Sequence, residues 1–340
     1  MERGLFTREE INSQPEAWQA ALDVLTLFRS DLQDISQTNV KQVLFTGCGS
    51  TYYLALAAAA LFQETTGRSA RGLPASELWH YPHASYPQGE VLLVAISRSG
   101  ETTETLLACE AFLEQKQGKL LTFSCYADQP LAKMGHLNMV LPSGMERSVA
   151  QTRAFSTLYL ATVALAVIAA ERRDLFQDLD KLPAAGQRIL TTYHAMAQQI
   201  GQDMNLDRFY WLGSGPRHGL ASELSLKMKE MSLSHSEPFH FMEFRHGPKS
   251  MITSTSQVIG LRSSVHHEHE QKVLIELGEL GGKIVSIGEE QGVVSFHSEV
   301  DESIRNILYL PFGQMVAFER SLAKGLNPDL PHNLDTVVKL

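Results

Sequence analysis

Val91-Leu92-Leu93-Val94-Ala95-Ile96-Ser97-Arg98-Ser99-Gly100-Glu101-Thr102 is the stretch on which the fold turns. Six apolar residues in unbroken succession describe a strand buried on both faces, as in a parallel sheet covered by helices. Short hydroxyl residues and a glycine then break the run, and a helical stretch continues to about Gln117, closed by Gly118. Upstream, Val43-Leu44-Phe45 is a shorter buried strand. It leads through Gly47-Cys48-Gly49-Ser50-Thr51 into an alanine-rich helix that stops near Gly67. Downstream, Leu120-Leu121-Thr122-Phe123 and Met139-Val140-Leu141 continue the alternation. Strands alternating with helices imply βαβ units.

The rhythm recurs at about half the chain length. Phe209-Tyr210-Trp211-Leu212 runs into Gly213-Ser214-Gly215 and a helix, and Val258 to Leu261 and Ile284 to Ile287 follow as strands. The expected architecture is α/β with two domains. Each is a flavodoxin-like three-layer αβα sandwich, a parallel sheet flanked by helices. The expected divisions are an N-terminal helical segment over 1–40, a first domain over 41–190, a second over 191–325 and a tail over 326–340. Within the first segment, Thr7-Arg8-Glu9-Glu10 has the spacing of a capping box, with Thr7 at N-cap and Glu10 at N3.

The 340 residues are 44% hydrophobic and 20% charged, enough for two sizeable cores. A formal net charge of -9 argues against a nucleic-acid partner, which needs a basic face, but leaves room for a small anionic substrate in a locally positive pocket. Three cysteines, Cys48, Cys109 and Cys125, make no disulfide framework and no zinc spacing. No apolar leader opens the chain. The longest apolar run, Leu158 to Ala170, is too short to span a bilayer and reads as a buried helix. A reducing cytoplasm and no membrane partner are therefore expected.

Two hydroxyl-rich loops, Gly49-Ser50-Thr51 and Ser97 to Thr102, each lie between a strand and a helix. In open α/β sheets ligands bind beyond the carboxyl ends of strands, where helix N-termini offer N–H donors and partial positive charge. Both loops suit a phosphate; the plainer reading of either is a capped turn. Gly47-x-Gly49 begins a dinucleotide fingerprint, but its third glycine position is Tyr52, and no Gly-Lys-Ser/Thr occurs. No nucleotide cofactor is expected.

Ser-x-Ser-Gly-Glu-Thr after an apolar strand resembles the phosphate loop of SIS (sugar isomerase) domains. The chain as a whole resembles the isomerase half of glucosamine-6-phosphate synthases. The likeness runs from Glu10-Ile11-x-x-Gln14-Pro15 through Cys48-Gly49-Ser50-Thr51-Tyr52 and Glu146-x-x-Val149-Ala150-x-Thr152-x-Ala154-Phe155. It continues in Leu226-Lys227-x-Lys229-Glu230 and His246-Gly247-Pro248, and ends at Pro331-x-Asn333-Leu334. Phe244-Arg245-His246-Gly247-Pro248-Lys249-Ser250 is closer to SIS-class amino-sugar-phosphate deaminases. Glu243 to Pro248 is also similar to fructoselysine-6-phosphate deglycases.

The resemblance implies a sugar 6-phosphate substrate and proton transfer between C1 and C2. Glu230 matches the base and Lys227 an active-site lysine, with Glu223 one turn earlier. His246 matches the ring-opening residue, which in the family reaches a neighbouring subunit's site and so implies a homodimer or higher oligomer. Ser50, Thr51, Ser97, Arg98, Ser99 and Thr102 match the phosphate site. Cys48, Gly49, Val149, Ala150, Gln151 and Glu223 are assigned to the sugar pocket. Arg98 stands where the family has glutamine; its planar fork suits phosphate if it points inward and is otherwise a solvent-facing charge.

Each role has a blander counterpart. Glu230 also reads as a helix-face charge beside Lys227 and Lys229, and His246 as a turn residue. The synthases carry a Schiff-base lysine in the tail; following Pro331-x-Asn333-Leu334 that position is Thr336, and Lys339 lies three residues later. A substrate that already bears the amine needs no such lysine. The leading expectation is an amino-sugar-phosphate isomerase/deaminase, with a fructosamine-6-phosphate deglycase and a non-catalytic sugar-phosphate-binding regulator as alternatives. The second half lacks a clean phosphate loop, since Arg262-Ser263-Ser264-Val265 has no glycine. No metal is expected: His266-His267-Glu268-His269-Glu270 reads as the composition of a surface helix.

Overall fold

The computed structural model describes residues 2–38, 40–115 and 118–337. The chain divides into two compact units. One gathers 16–146, 153–180 and the tail from Asp335; the other gathers 1–15, 147–152 and 181–334.

The first unit holds five parallel strands, β1 (Gln42–Gly47), β2 (Ala70–Pro74), β3 (Val91–Ser97), β4 (Gly118–Ser124) and β5 (Leu137–Val140). They lie in the order β2-β1-β3-β4-β5. Chain order reverses between β1 and β3, where Thr46 pairs with Ala95, so the crevice beyond their carboxyl ends is the topological switch point. Every residue of β3 is buried, as its unbroken apolar run demands.

Helix α1 (Ser50–Thr66) follows β1, α2 (Thr103–Gln115) follows β3, and α3 (Arg153–Ala169) supplies the apolar run of the sequence. Residues 154 to 168 of α3 are all buried, and within that core Trp18 Nε1 donates to Ser156 Oγ at 2.8 Å. The edge strand β2, Ala-Arg-Gly-Leu-Pro, carries no strand signal in its composition. Its backbone comes so near α1 that a Cβ on Gly72 would sit 2.6 Å from the Ala55 carbonyl oxygen.

The second unit repeats the plan with β6 (Arg208–Gly213), β7 (His235–Phe239), β8 (Ser256–Leu261), β9 (Lys283–Gly288) and β10 (Val294–Ser295). Read as β7-β6-β8-β9-β10, its parallel order matches the first sheet strand for strand. Helices α4 (Pro216–Ser232), α5 (His267–Glu279) and α6 (Leu310–Ala323) cover it. β7 contains Pro238, which an edge strand tolerates.

The capping box at Thr7 is not formed. Gly4, at φ 71°, precedes a helix over Leu5–Asn12 that already includes Thr7. The Thr7 amide and hydroxyl both donate to Asp329 Oδ1 at 2.8 Å. The Glu10 carboxylate accepts from the amides of Arg147 at 2.5 Å and Ser148 at 3.2 Å, and from the Ser148 hydroxyl. The spacing was that of a local cap, but the same groups serve partners more than 130 positions away. No described helix is long and apolar enough to cross a membrane.

Candidate functional site

In the first unit, the loops after β1 and β3 start from neighbouring strands at the switch point. Gly49, at φ 55° and ψ -121°, turns the chain into α1, a conformation open to glycine. The Thr51 hydroxyl accepts from the Cys48 amide at 2.9 Å and donates to the Cys48 carbonyl at 3.0 Å, which fixes the turn. Gly47 admits that hydroxyl, since a Cβ there would lie 2.4 Å from it. The Cys48 sulfur is 3.4 Å from Thr105 Oγ1, joining the first loop to the helix that follows the second. Burial pushes the Cys48 thiol up, so it behaves as a small apolar group rather than a nucleophile.

The second loop braces itself with hydroxyls. Ser97 Oγ accepts from the Gly100 amide at 3.1 Å and lies 3.1 Å from Thr102 Oγ1. Ser99 Oγ accepts from the Glu101 amide at 3.2 Å, and Gly100 sits at φ 71°. Ser50, Thr51 and Ser97 are buried, while Ser99 and Thr102 are partly open. The structure thus brings Cys48, Gly49, Ser50 and Thr51 to the same sheet edge as Ser97, Ser99 and Thr102.

Arg98 differs from both expectations. Its side chain is 5% exposed, so it is no surface charge, and its fork meets Glu146 at 3.2 Å rather than standing open for a phosphate. Nη2 donates to the Thr336 carbonyl at 3.2 Å. The arginine therefore ties the loop to the tail position where the synthases have lysine. Lys339 lies outside the described residues.

In the other unit, Glu223, Lys227 and Glu230 share a face of α4. The Lys227 side chain is wholly buried. Its Nζ lies 3.4 Å from Glu223 Oε1 and donates to Glu230 Oε2. Glu223 is equally buried, whereas the Glu230 side chain keeps 19% exposure. One carboxylate is thus locked in and the other is reachable. Glu230 is thus a helix-face carboxylate paired with Lys227, an arrangement that suits both the plain reading and a positioned base.

His246 is exposed in the turn after Phe241–Phe244, where its amide donates to the Glu243 carbonyl at 3.0 Å. The segment 147–152 is held from two sides. Glu10 takes the Arg147 and Ser148 amides, and the Asp329 carbonyl takes the Val149 amide at 3.0 Å. Ala150 accepts from Ser148 Oγ at 3.1 Å, and among the described residues Gln151 Oε1 is a buried acceptor without a hydrogen-bond partner.

Two features escaped the sequence reading. His218, in the first turn of α4, stacks on His240 beyond β7 at 3.8 Å between ring centroids. Burial, and then the His240 ring, bring His218 down to about 4. A histidine three residues after the Gly213-Ser214-Gly215 turn was the available signal. The second is Glu270, which is not part of a surface helix face: it is 2% exposed. Among the described residues no group of three or more His, Cys, Asp or Glu is arranged to hold a metal.

Residues 38–168 match the SIS domain family. Over 98% of its length the chain is 26% identical to the isomerizing glutamine–fructose-6-phosphate aminotransferase of Sulfurisphaera tokodaii, and spans 56% of that relative. It is also 26% identical to a solved glucosamine-6-phosphate deaminase from Thermotoga maritima, covering 94% of this chain and 100% of that one at a TM-score of 0.79. The Escherichia coli tagatose-6-phosphate ketose/aldose isomerase shares the fold at a TM-score of 0.86 and 22% identity. That match covers 96% of this chain and 95% of that one. The chain therefore spans a little over half the length of the curated relatives it matches.

Proposed function

We propose that this chain, whose residues 38–168 match the SIS domain, converts a 2-amino-2-deoxy-hexose 6-phosphate and water to the ketose phosphate and ammonia. The observation that carries the reading is the α4 cluster, a reachable Glu230 carboxylate bonded to the buried Lys227 ammonium. Aldose–ketose chemistry on an open-chain sugar needs one base to move a proton between C1 and C2, and a carboxylate held in place by a fixed cation suits that shuttle. Lys227 keeps Glu230 aimed and offers positive charge to the oxyanion that develops on O1 as the C2 proton leaves.

The phosphate is assigned to Ser50, Thr51, Ser97, Ser99 and Thr102, with Arg98 anchoring the loop from behind through Glu146. Cys48, Gly49, Val149, Ala150 and Gln151 are assigned to the sugar. His246 passes the ring-opening proton, acting on a neighbouring subunit's substrate in a homodimer. Thr336 in place of an imine-forming lysine favours a substrate that brings its own nitrogen. The assay is incubation with glucosamine 6-phosphate, reading ammonia and fructose 6-phosphate. Release of neither, with turnover of a fructosamine 6-phosphate instead, would move the assignment to a deglycase. Equal mixtures of Glu230→Gln and His246→Ala subunits test the shared site. Sites completed across a dimer regain about a quarter of wild-type activity, and no regain refutes the sharing.

A further inference from the structure

The second sheet has its own switch point, between β6 and β8, and its loops copy the backbone of the first. Gly215, at φ 59° and ψ -135°, leads into α4 as Gly49 leads into α1. Pro216 and Arg217 therefore hold the positions of Ser50 and Thr51. The loop Arg262 to His266 after β8 holds that of Arg98 to Thr102 after β3. An anion-binding frame is present, but its donors are already taken.

The Ser263 amide donates to Glu270 Oε2 at 2.6 Å, and the Ser264 amide to Glu302 Oε2 at 2.8 Å. Arg217 donates through Nη1 to Glu302 Oε1 at 2.5 Å and reaches Glu270 Oε1 at 3.9 Å through Nη2. Arg305 closes the group, with Nη2 3.7 Å from Glu302 Oε2 and bonded to the Ser264 hydroxyl. Arg217, Glu270 and Arg305 are all at most 6% exposed. Two backbone N–H groups at a strand's carboxyl end, together with an arginine fork, are what a phosphate or carboxylate ligand takes.

We propose that Glu302, assisted by Glu270, is a built-in anion that fills the second domain's ligand cradle, so that this cradle binds carboxylate or phosphate only when the Glu302 side chain is removed. Glu302 comes from beyond β10, far in sequence from the loop it fills, which is how a ligand's place is taken by the chain's own side chain. Burial works against its charge. The Ser263 hydroxyl, Arg217, the Ser264 amide and Arg305 outweigh it and keep the carboxyl below its ordinary value.

The test is chemical rescue of Glu302→Ala in the full chain, with formate as the probe and chloride at equal ionic strength as the reference. The variant's melting temperature should rise by about 2 °C or more in formate over chloride. Wild type should show no such difference, and neither should Glu302→Gln, whose amide still fills the space. If Glu302→Ala is recovered only unfolded, refolding yield in formate against chloride makes the same comparison. An equal response of all three proteins, or none in Glu302→Ala, overturns the proposal.

Discussion

Replacing Lys227 with methionine removes an ammonium whose side chain is wholly buried and leaves a methylene stem of similar length. Glu223 is then a carboxylate with no exposed surface and no ammonium 3.4 Å away. Glu230 is less affected, because its 19% exposure lets water take the ammonium's place. Breaking a buried pair by removing one partner costs about 3–5 kcal/mol. In a unit of this size each kcal/mol lowers the melting temperature by about 2–4 °C. The expected fall for Lys227→Met is therefore about 6–20 °C by calorimetry. Adding Glu223→Gln removes the carboxylate that faced the ammonium and should recover most of that loss, to within about 2 kcal/mol of wild type. Activity should stay lost in both, since Glu230 has no cation to aim it. A single variant melting within about 2 °C of wild type, or a double variant no better than the single, would refute the reasoning.

Glu230→Gln should lower turnover by about 10²–10⁴-fold while leaving hexose-phosphate affinity within a few-fold, and unchanged turnover ends the assignment of the base. Glu10→Ala strips acceptors from the amides of Arg147 and Ser148. It should cost about 2–4 kcal/mol in a denaturant titration, with a cost near zero showing that the clamp on 147–152 is idle. Gly47→Ala pushes a Cβ to 2.4 Å from Thr51 Oγ1 and should cost about 1–3 kcal/mol together with phosphate affinity measured calorimetrically. His218 stands at about 4 in the fold against an ordinary 6.5, so the unfolded chain takes up a proton as pH falls through that window and stability falls with it. Its replacement by glutamine should flatten the drop in melting temperature on acidification, and an unaltered pH profile would refute this.

The central strands were legible because burial on both faces writes itself as an apolar run. β1, β3, β4, β8 and β9 all do so. Of the edge strands, β5 showed as Met139-Val140-Leu141, but β2 and β7 did not. β2 is Ala-Arg-Gly-Leu-Pro and β7 is His-Ser-Glu-Pro-Phe, and what makes them strands is a neighbour's ladder rather than their own pattern. The loops that carry hydroxyls were readable for the same reason as the turns themselves, since Gly, Ser and Thr are demanded by local backbone geometry. Long-range charge pairing was opaque. Glu10 sits at capping-box spacing and Glu270 in a run of polar residues, yet both accept from backbone amides that only the folded chain brings near. Arg98 shows the limit from the other side. Its residue type suggests phosphate, and its position puts it against Glu146.

The two sheets show how one backbone device yields two behaviours. In the first, the loop amides are held by neutral hydroxyls, Ser97 on Gly100 and Ser99 on Glu101. A neutral acceptor holds an amide about half as firmly as a charged one, so an incoming dianion can draw the loop to itself. In the second, the Ser263 and Ser264 amides are held by carboxylates that are themselves gripped by Arg217. To displace them, a ligand would have to outbid a charge that is covalently tethered and therefore present at high effective concentration. On the proposed reading, the first cradle can exchange a phosphate, while the second is closed by its own carboxylates. That difference follows from residue chemistry at matched positions, Ser50 and Thr51 against Pro216 and Arg217, and not from any difference in fold.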